Sequence, residues 1–162
     1  MKTLLSALFV ITALLSAGCG TMTSSNNRSA PVCMENHIAP TEQEIASLFD
    51  RWNQSLQSGD PEKVVANYAE QSILLPTVSN KPRLTPAEKV DYFRHFLEDQ
   101  PSGEINMRQI QIGCDMAVDS GLYTFSFAKT GNKVRGRYSF TYRWDGTQWL
   151  IISHHSSAMP EK

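Results

Sequence analysis

Among the side chains that could carry chemistry, the 162 residues hold four histidines and three cysteines. His154 and His155 are adjacent near the C-terminus, and a neutral imidazole is a natural general base because its unperturbed pKa is about 6.5. A regular strand sends neighbouring side chains to opposite faces, so this pair cannot jointly chelate one metal ion. His95 lies four residues after Asp91, a helical spacing that lets the two orient each other. His154 and His95 are therefore the candidate bases, with a purely structural role as the alternative for each. Tyr68, Tyr92 and Tyr123 carry hydroxyls that could line a cavity and are equally acceptable as core. Arg135, Arg137, Ser139, Thr141 and Arg143 alternate with Tyr138, Phe140, Tyr142 and Trp144, and Arg137 could hold an anion. Cys33 and Cys114 lack a second Cys or a His at ligand spacing on a recognisable turn, so no metal site and no cofactor is expected.

The N-terminus supplies an address. Lys2 gives a positive start, Leu4 to Leu15 is almost wholly apolar, and Ser16-Ala17-Gly18-Cys19 closes with small residues. That is the layout of an export signal, and its apolar run is shorter than the roughly 20 residues a membrane span needs. The closing residues resemble a lipobox, with Ser16 and Leu15 departing from its usual order. Residues 1–18 read as the signal peptide and 19–32 as a lipidated Cys19 with a Ser/Asn/Thr-rich tether. The expected location is the periplasmic side of a bacterial envelope, lipid-anchored at the outer membrane or soluble. With Cys19 assigned to lipid, Cys33 and Cys114 form a candidate disulfide, two separate buried thiols being the alternative. Such a bridge would contribute about 4–5 kcal/mol in the chain-entropy model. The formal net charge is −1, one unit more negative without Lys2, which predicts no affinity for nucleic acid.

Residues 33–162 amount to one domain. Thr41 and Glu44 form a capping box, and Ile45, Leu48, Phe49, Trp52 and Leu56 make a helical apolar stripe that stops at Ser58-Gly59. Asp60-Pro61 starts a short second helix with Val64, Val65 and Tyr68 on its apolar side. Ser72 to Val78 reads as a strand, placed at an edge by Pro76. Thr85 and Glu88 cap a third helix running to about Asp99, with Val90, Phe93, Phe96 and Leu97 inward. Beyond it the period changes to two, over Ile105–Ile112 with an offset, then 117–127, Val134–Trp144 and Trp149–Ser156. Gly131-Asn132 and Asp145-Gly146 supply hairpin turns. The fold class is α+β, with three helices on one face of a curved, mostly antiparallel sheet.

Several segments carry a resemblance: Leu48-Phe49-Asp50-Arg51-Trp52-Asn53, the Gly59-Asp60-Pro61 break, Asp91-Tyr92-Phe93-Arg94-His95-Phe96, and the hairpin from Tyr142 to Ser157. Together they resemble the nuclear transport factor 2-like superfamily in its SnoaL-like branch. Within it they are most similar to the association domain of calcium/calmodulin-dependent protein kinase II and its bacterial relatives. The resemblance implies a cone-shaped fold with a pocket between helices and sheet, and homodimers or larger oligomers formed through the outer face of the sheet. It does not imply kinase activity, because these residues include no Gly-rich phosphate loop and no catalytic-loop signature.

Strict alternation leaves two arrangements for the sheet. Either the row Tyr138, Phe140, Tyr142, Trp144 is the helix-covered core, or it is the dimer surface and the polar row lines the pocket. The resemblance favours the second, which makes Arg137, Ser139, Thr141, Ser156, Tyr68 and Tyr92 the pocket residues. The expected function is an exported, oligomerising module that binds a small molecule or an envelope partner. The alternative is a lyase, isomerase or hydrolase of SnoaL type using a pocket histidine.

Overall fold

The computed structural model describes residues 40–77 and 79–160. The expected signal peptide, Cys19, the tether and Cys33 lie outside the described residues. Three helices accompany a five-stranded sheet, in the order α1 (Glu42–Gln57), α2 (Pro61–Val65), β1 (Tyr68–Leu75), α3 (Pro86–Phe96), then β2 (Pro101–Ile112), β3 (Met116–Phe127), β4 (Lys133–Trp144) and β5 (Trp149–Ala158). A 3-10 turn, Leu97–Asp99, extends α3. Among the described residues no helix is long and apolar enough to cross a membrane.

Both long helices start where their chemistry dictates. The Thr41 hydroxyl accepts from the Glu44 N–H at 3.2 Å while the Glu44 carboxylate accepts from the Thr41 N–H at 2.7 Å. Thr85 and Glu88 repeat this box at α3. Each box satisfies two of the N–H groups that a helix start leaves without partners. The α1 stripe of Ile45, Leu48, Phe49, Trp52 and Leu56 is buried. Two polar side chains fix this helix over the sheet. Arg51 donates to the Trp149 carbonyl at 2.7 Å, and Asn53 exchanges hydrogen bonds with the backbone of Gly103 at 2.8 and 2.9 Å.

The sheet order is β1-β5-β4-β3-β2. Strands β2 to β5 form an antiparallel meander, whereas β1 joins β5 in parallel at one edge. The edge position of the Pro76-bounded strand is as expected. Its extent differs, because Tyr68 opens β1 and does not belong to the second helix, which stops at Val65. The offset expected between Met107 and Ile110 comes earlier, as a bulge at Asn106, the extra residue between the pairs Ile105–Tyr123 and Met107–Leu122, so Met107 is exposed and does not share the face of Ile105.

A second bulge decides the orientation of the site. Thr141 pairs with Ser153 and Tyr142 with Ile151, leaving Ile152 as the extra residue. A bulge shifts which residues of its strand face each side. Trp149 and Ile151 thus point into the core before it, and His154 does so after it. Phe140 pairs with His154 and Tyr138 with Ser156, so these residues share one face.

That face is the covered one. Tyr138, Phe140 and Tyr142 are buried, and Phe140 meets the Phe49 and Trp52 rings of α1 at 6.1 and 5.3 Å. The aromatic row is therefore core and not a dimer surface. Arg137, Ser139 and Thr141 occupy the outer face, so their expected place in the pocket is corrected.

Candidate functional site

A cavity of about 120 Å³ lies between α3, the end of β1 and the covered face of β3 to β5. Trp52, Phe93, Phe96 and Phe125 supply apolar wall, while Tyr92, Tyr123, His154, Ser156 and Thr77 add polar atoms. Gly136 also lines it, and a β-carbon there would come within 2.6 Å of the Tyr123 ring. Only glycine lets the tyrosine lie across β4 at this point. Among the described lining residues Arg135 is the charged one, and no carboxylate is present. The guanidinium of the half-buried Arg83 lies 5.7 Å from the centre of the Tyr92 ring, adding a second positive charge behind that wall.

The polar atoms form two groups. In the first, Ser156 hydrogen-bonds both Thr77 and Tyr123 through their hydroxyls. Burial raises the Tyr123 hydroxyl above its ordinary range, and burial pushes Tyr92 up to about 12. Both remain protonated and can donate at neutral pH.

The second group centres on His154, which is 4 % exposed. Its Nδ1 lies 2.8 Å from the Tyr68 hydroxyl, which also accepts from the Trp52 indole N–H at 3.2 Å. The imidazole stacks on Phe140 with ring centres 4.1 Å apart. Burial, followed by the charge of neighbouring His155, lowers the pKa of His154 to about 3. Its Nε2 is buried without a hydrogen-bond partner. An unpaired buried polar atom beside a void is a strong pointer to a ligand position.

The expected site residues thus divide. Ser156, Tyr92 and His154 line the cavity, and Tyr68 stands behind His154. Arg137 is exposed and donates to the Ala158 carbonyl at 3.3 Å, while Ser139 and Thr141 are half-buried on the same outer face. His95 does not meet the cavity. It is exposed on α3 with Nδ1 2.9 Å from the main-chain carbonyl of Asp91, and the Asp91 carboxylate pairs with Arg94 at 3.5 Å. The carboxylate–imidazole pair expected there is absent, because the His95 ring nitrogen meets the Asp91 main-chain carbonyl and the Asp91 carboxylate is turned to Arg94. Thr77 falls inside the expected Ser72–Val78 strand without being singled out, whereas β1 ends at Leu75 and leaves its hydroxyl free to reach Ser156. Among the described residues no group of three or more His, Cys, Asp or Glu could hold a metal ion.

Comparison with known proteins matches this geometry to a family. The model of the calcium/calmodulin dependent protein kinase II association domain matches residues 41–160. A structure of such an association domain protein from Xanthomonas campestris is 46% identical with a TM-score of 0.73, covering 76% of this chain and 91% of that one. A nuclear transport factor 2-like protein of unknown function from Pseudomonas putida KT2440 is 20% identical over 74% of this chain and 87% of that chain, with a TM-score of 0.65. An iota-carbonic anhydrase from a cyanobacterium, complexed with bicarbonate, is also 20% identical, with a TM-score of 0.67 over 76% of this chain and 95% of that one. The comparison with curated proteins gives no match. Match length and identity together make the assignment plain: this chain belongs to the calcium/calmodulin-dependent protein kinase II association domain family, on a nuclear transport factor 2-like fold.

Proposed function

We propose that the cavity binds a small oxyanion of bicarbonate size and carries the reversible hydration of carbon dioxide. The observation that carries this reading is the Thr77–Ser156–Tyr123 hydroxyl cluster in a mainly aromatic-walled cavity of about 120 Å³. Aromatic walls suit the apolar gas, and the hydroxyls suit the water and the product. Arg135 and Arg83 favour an anion, and no carboxylate among the described lining residues opposes it. The bicarbonate-bound carbonic anhydrase of the same fold gives a precedent for the ligand class.

In the forward step a water held by Ser156 attacks the carbon. A new carbon–oxygen bond forms, and one π-electron pair moves onto an oxygen that accepts from Tyr123. The water proton passes to the Ser156 hydroxyl, which hands its own to Thr77 and on to solvent. The products are bicarbonate and one proton.

This reverses the order expected from sequence, which put a non-catalytic module first. Support for the reversal is the convergence of polar groups on one void. Stopped-flow hydration with a pH indicator tests it. The full chain should outpace buffer alone, and Ser156→Ala or Tyr123→Phe should each remove most of the excess. A wild-type chain no faster than buffer, with no bicarbonate-induced thermal shift, overturns the reading.

The remaining expectations join this proposal. The protein is exported, lipid-anchored through Cys19 on the periplasmic side, and homo-oligomeric through its association domain, which supports self-assembly. A Cys33–Cys114 disulfide ties the segment before α1 to the β2–β3 turn. It is supported by Cys114 being a disulfide sulfur and not a free thiol. Cys19→Ala should release the chain from the envelope fraction, and light scattering should show more than a monomer.

A further inference from the structure

His154 invites the role of general base, but its surroundings give it a different one. The Trp52 indole nitrogen can only donate. It points at the Tyr68 oxygen, 3.2 Å away, so that oxygen serves as an acceptor there. The phenolic hydrogen then needs an acceptor of its own, and His154 Nδ1 lies 2.8 Å off. Were Nδ1 to carry a hydrogen, it would donate to the same oxygen, and the phenolic hydrogen would lose this acceptor in a site where Tyr68 is only 6 % exposed. The opposite arrangement satisfies every member: indole N–H to phenol oxygen, phenol O–H to Nδ1. A neutral imidazole with an acceptor at Nδ1 carries its hydrogen at Nε2.

We infer that Trp52 and Tyr68 lock His154 in the Nε2–H tautomer, so that His154 meets the ligand as a hydrogen-bond donor and the cavity selects acceptor ligands over amines. The ring cannot swing to escape this role, since Phe140 stacks on it at 4.1 Å and Trp52 packs edge-on at 5.3 Å. Nε2 is buried and unpartnered, and His154 lines the cavity. A carboxylate or bicarbonate oxygen would satisfy it, whereas an ammonium or primary amine would leave donors facing donors. Suppression of the imidazolium by burial agrees, because a charged ring would erase the distinction between the two nitrogens. Tyr68 is then a positioning residue and His154 a binding residue. The choice of ligand class rests on the function proposed above; the tautomer does not.

Long-range proton–nitrogen correlation spectra of the full chain at neutral pH read the tautomer directly and need no variant. We expect His154 to show a bare Nδ1 and a protonated Nε2, and the Nε2–H resonance to move when bicarbonate or formate is added, but not with methylamine. Tyr68→Phe should release the lock, mixing the two tautomers and weakening bicarbonate binding about tenfold. A protonated Nδ1 in the wild type, or tautomer and affinity both unchanged in Tyr68→Phe, overturns this inference while leaving bicarbonate binding standing. A protonated Nε2 that ignores bicarbonate and formate overturns the ligand class, and with it the proposed function, while the tautomer stands.

Discussion

The covered face of the sheet buries two polar clusters, and they are built to opposite ends. Under α1, the Asp119 carboxylate is fully buried and accepts from the Tyr138 hydroxyl at 2.8 Å and from Arg108 Nε at 3.2 Å. Arg108 also lies over the Phe49 ring at 5.8 Å. Arg108 Nη2 and the Tyr142 hydroxyl have no hydrogen-bond partner, but neither residue lines the cavity. Under α3, His154, Tyr123 and Ser156 face an open volume. Strand β3 contributes to both clusters, and Phe140 on β4 stands between Asp119 on β3 and His154 on β5. The difference lies in what covers them. The α1 side chains close over one cluster, and a ring of aromatic residues holds space over the other. A buried charge that is paired within the chain reads as structure, and a buried donor that meets a void reads as recognition.

That contrast can be broken by substitution, and the largest effect belongs to the closed end. Asp119→Ala strands the Arg108 guanidinium, and breaking a buried pair in this way costs about 3–5 kcal/mol. Denaturant titration should show that loss with the bicarbonate response intact in whatever fraction stays folded. At the open end the pattern reverses. Tyr123→Phe and Ser156→Ala remove one hydroxyl each, so stability should change by only about 1 kcal/mol while hydration falls at least about tenfold.

The two ends also differ in the sign of their pH dependence. His154 has a folded pKa of about 3 against about 6.5 when unfolded. The unfolded chain therefore takes up this proton first, and the folded state loses stability as pH falls from about 6.5 toward about 3. Asp119 is raised, by burial above all, so its burial costs stability at neutral pH and part of that cost is recovered as pH falls through the carboxylate range. Urea midpoints across this range should show a decline toward acid that His154→Gln flattens and Asp119→Asn steepens. The smallest effect is expected on the outer face, where Arg137→Ala and Ser139→Ala should change stability by no more than about 0.5 kcal/mol and leave hydration unaltered.

Much of this was legible in the residues. Thr41–Glu44 and Thr85–Glu88 announce two helices because capping is local chemistry. Pro76 marks an edge strand because it cannot donate to a ladder, and the uneven spacing between Met107 and Ile110 signals a bulge but places it too late, since the extra residue is Asn106. The Ile152 bulge was not legible, because Leu150-Ile151-Ile152 alternates acceptably in either register. Only pairing with β4 singles out the extra residue. The resemblance put Ser139 and Ser156 together in the expected pocket by shared parity, and the extra residue Ile152 separates them, so Ser156 lines the cavity while Arg137, Ser139 and Thr141 face outward. For His95 the signal was present, since Val90, Phe93, Phe96 and Leu97 define the inward stripe and both 91 and 95 fall outside it. Tyr68 reads from sequence as part of the second helix and as a cavity residue, whereas it opens β1 and stands behind His154. The partner that gives it meaning, His154, comes from β5 at the far end of the sequence.

The central claim is that the hydroxyl cluster and His154 form a working site, and that the space beside them is not a packing defect. Exchange between carbon dioxide and bicarbonate at equilibrium, followed by carbon NMR line broadening, tests it most directly because it needs no added buffer indicator. The full chain should broaden both resonances in proportion to its concentration, and Ser156→Ala at equal folded fraction should not. Equal broadening by the two proteins, or none by either, would contradict the account.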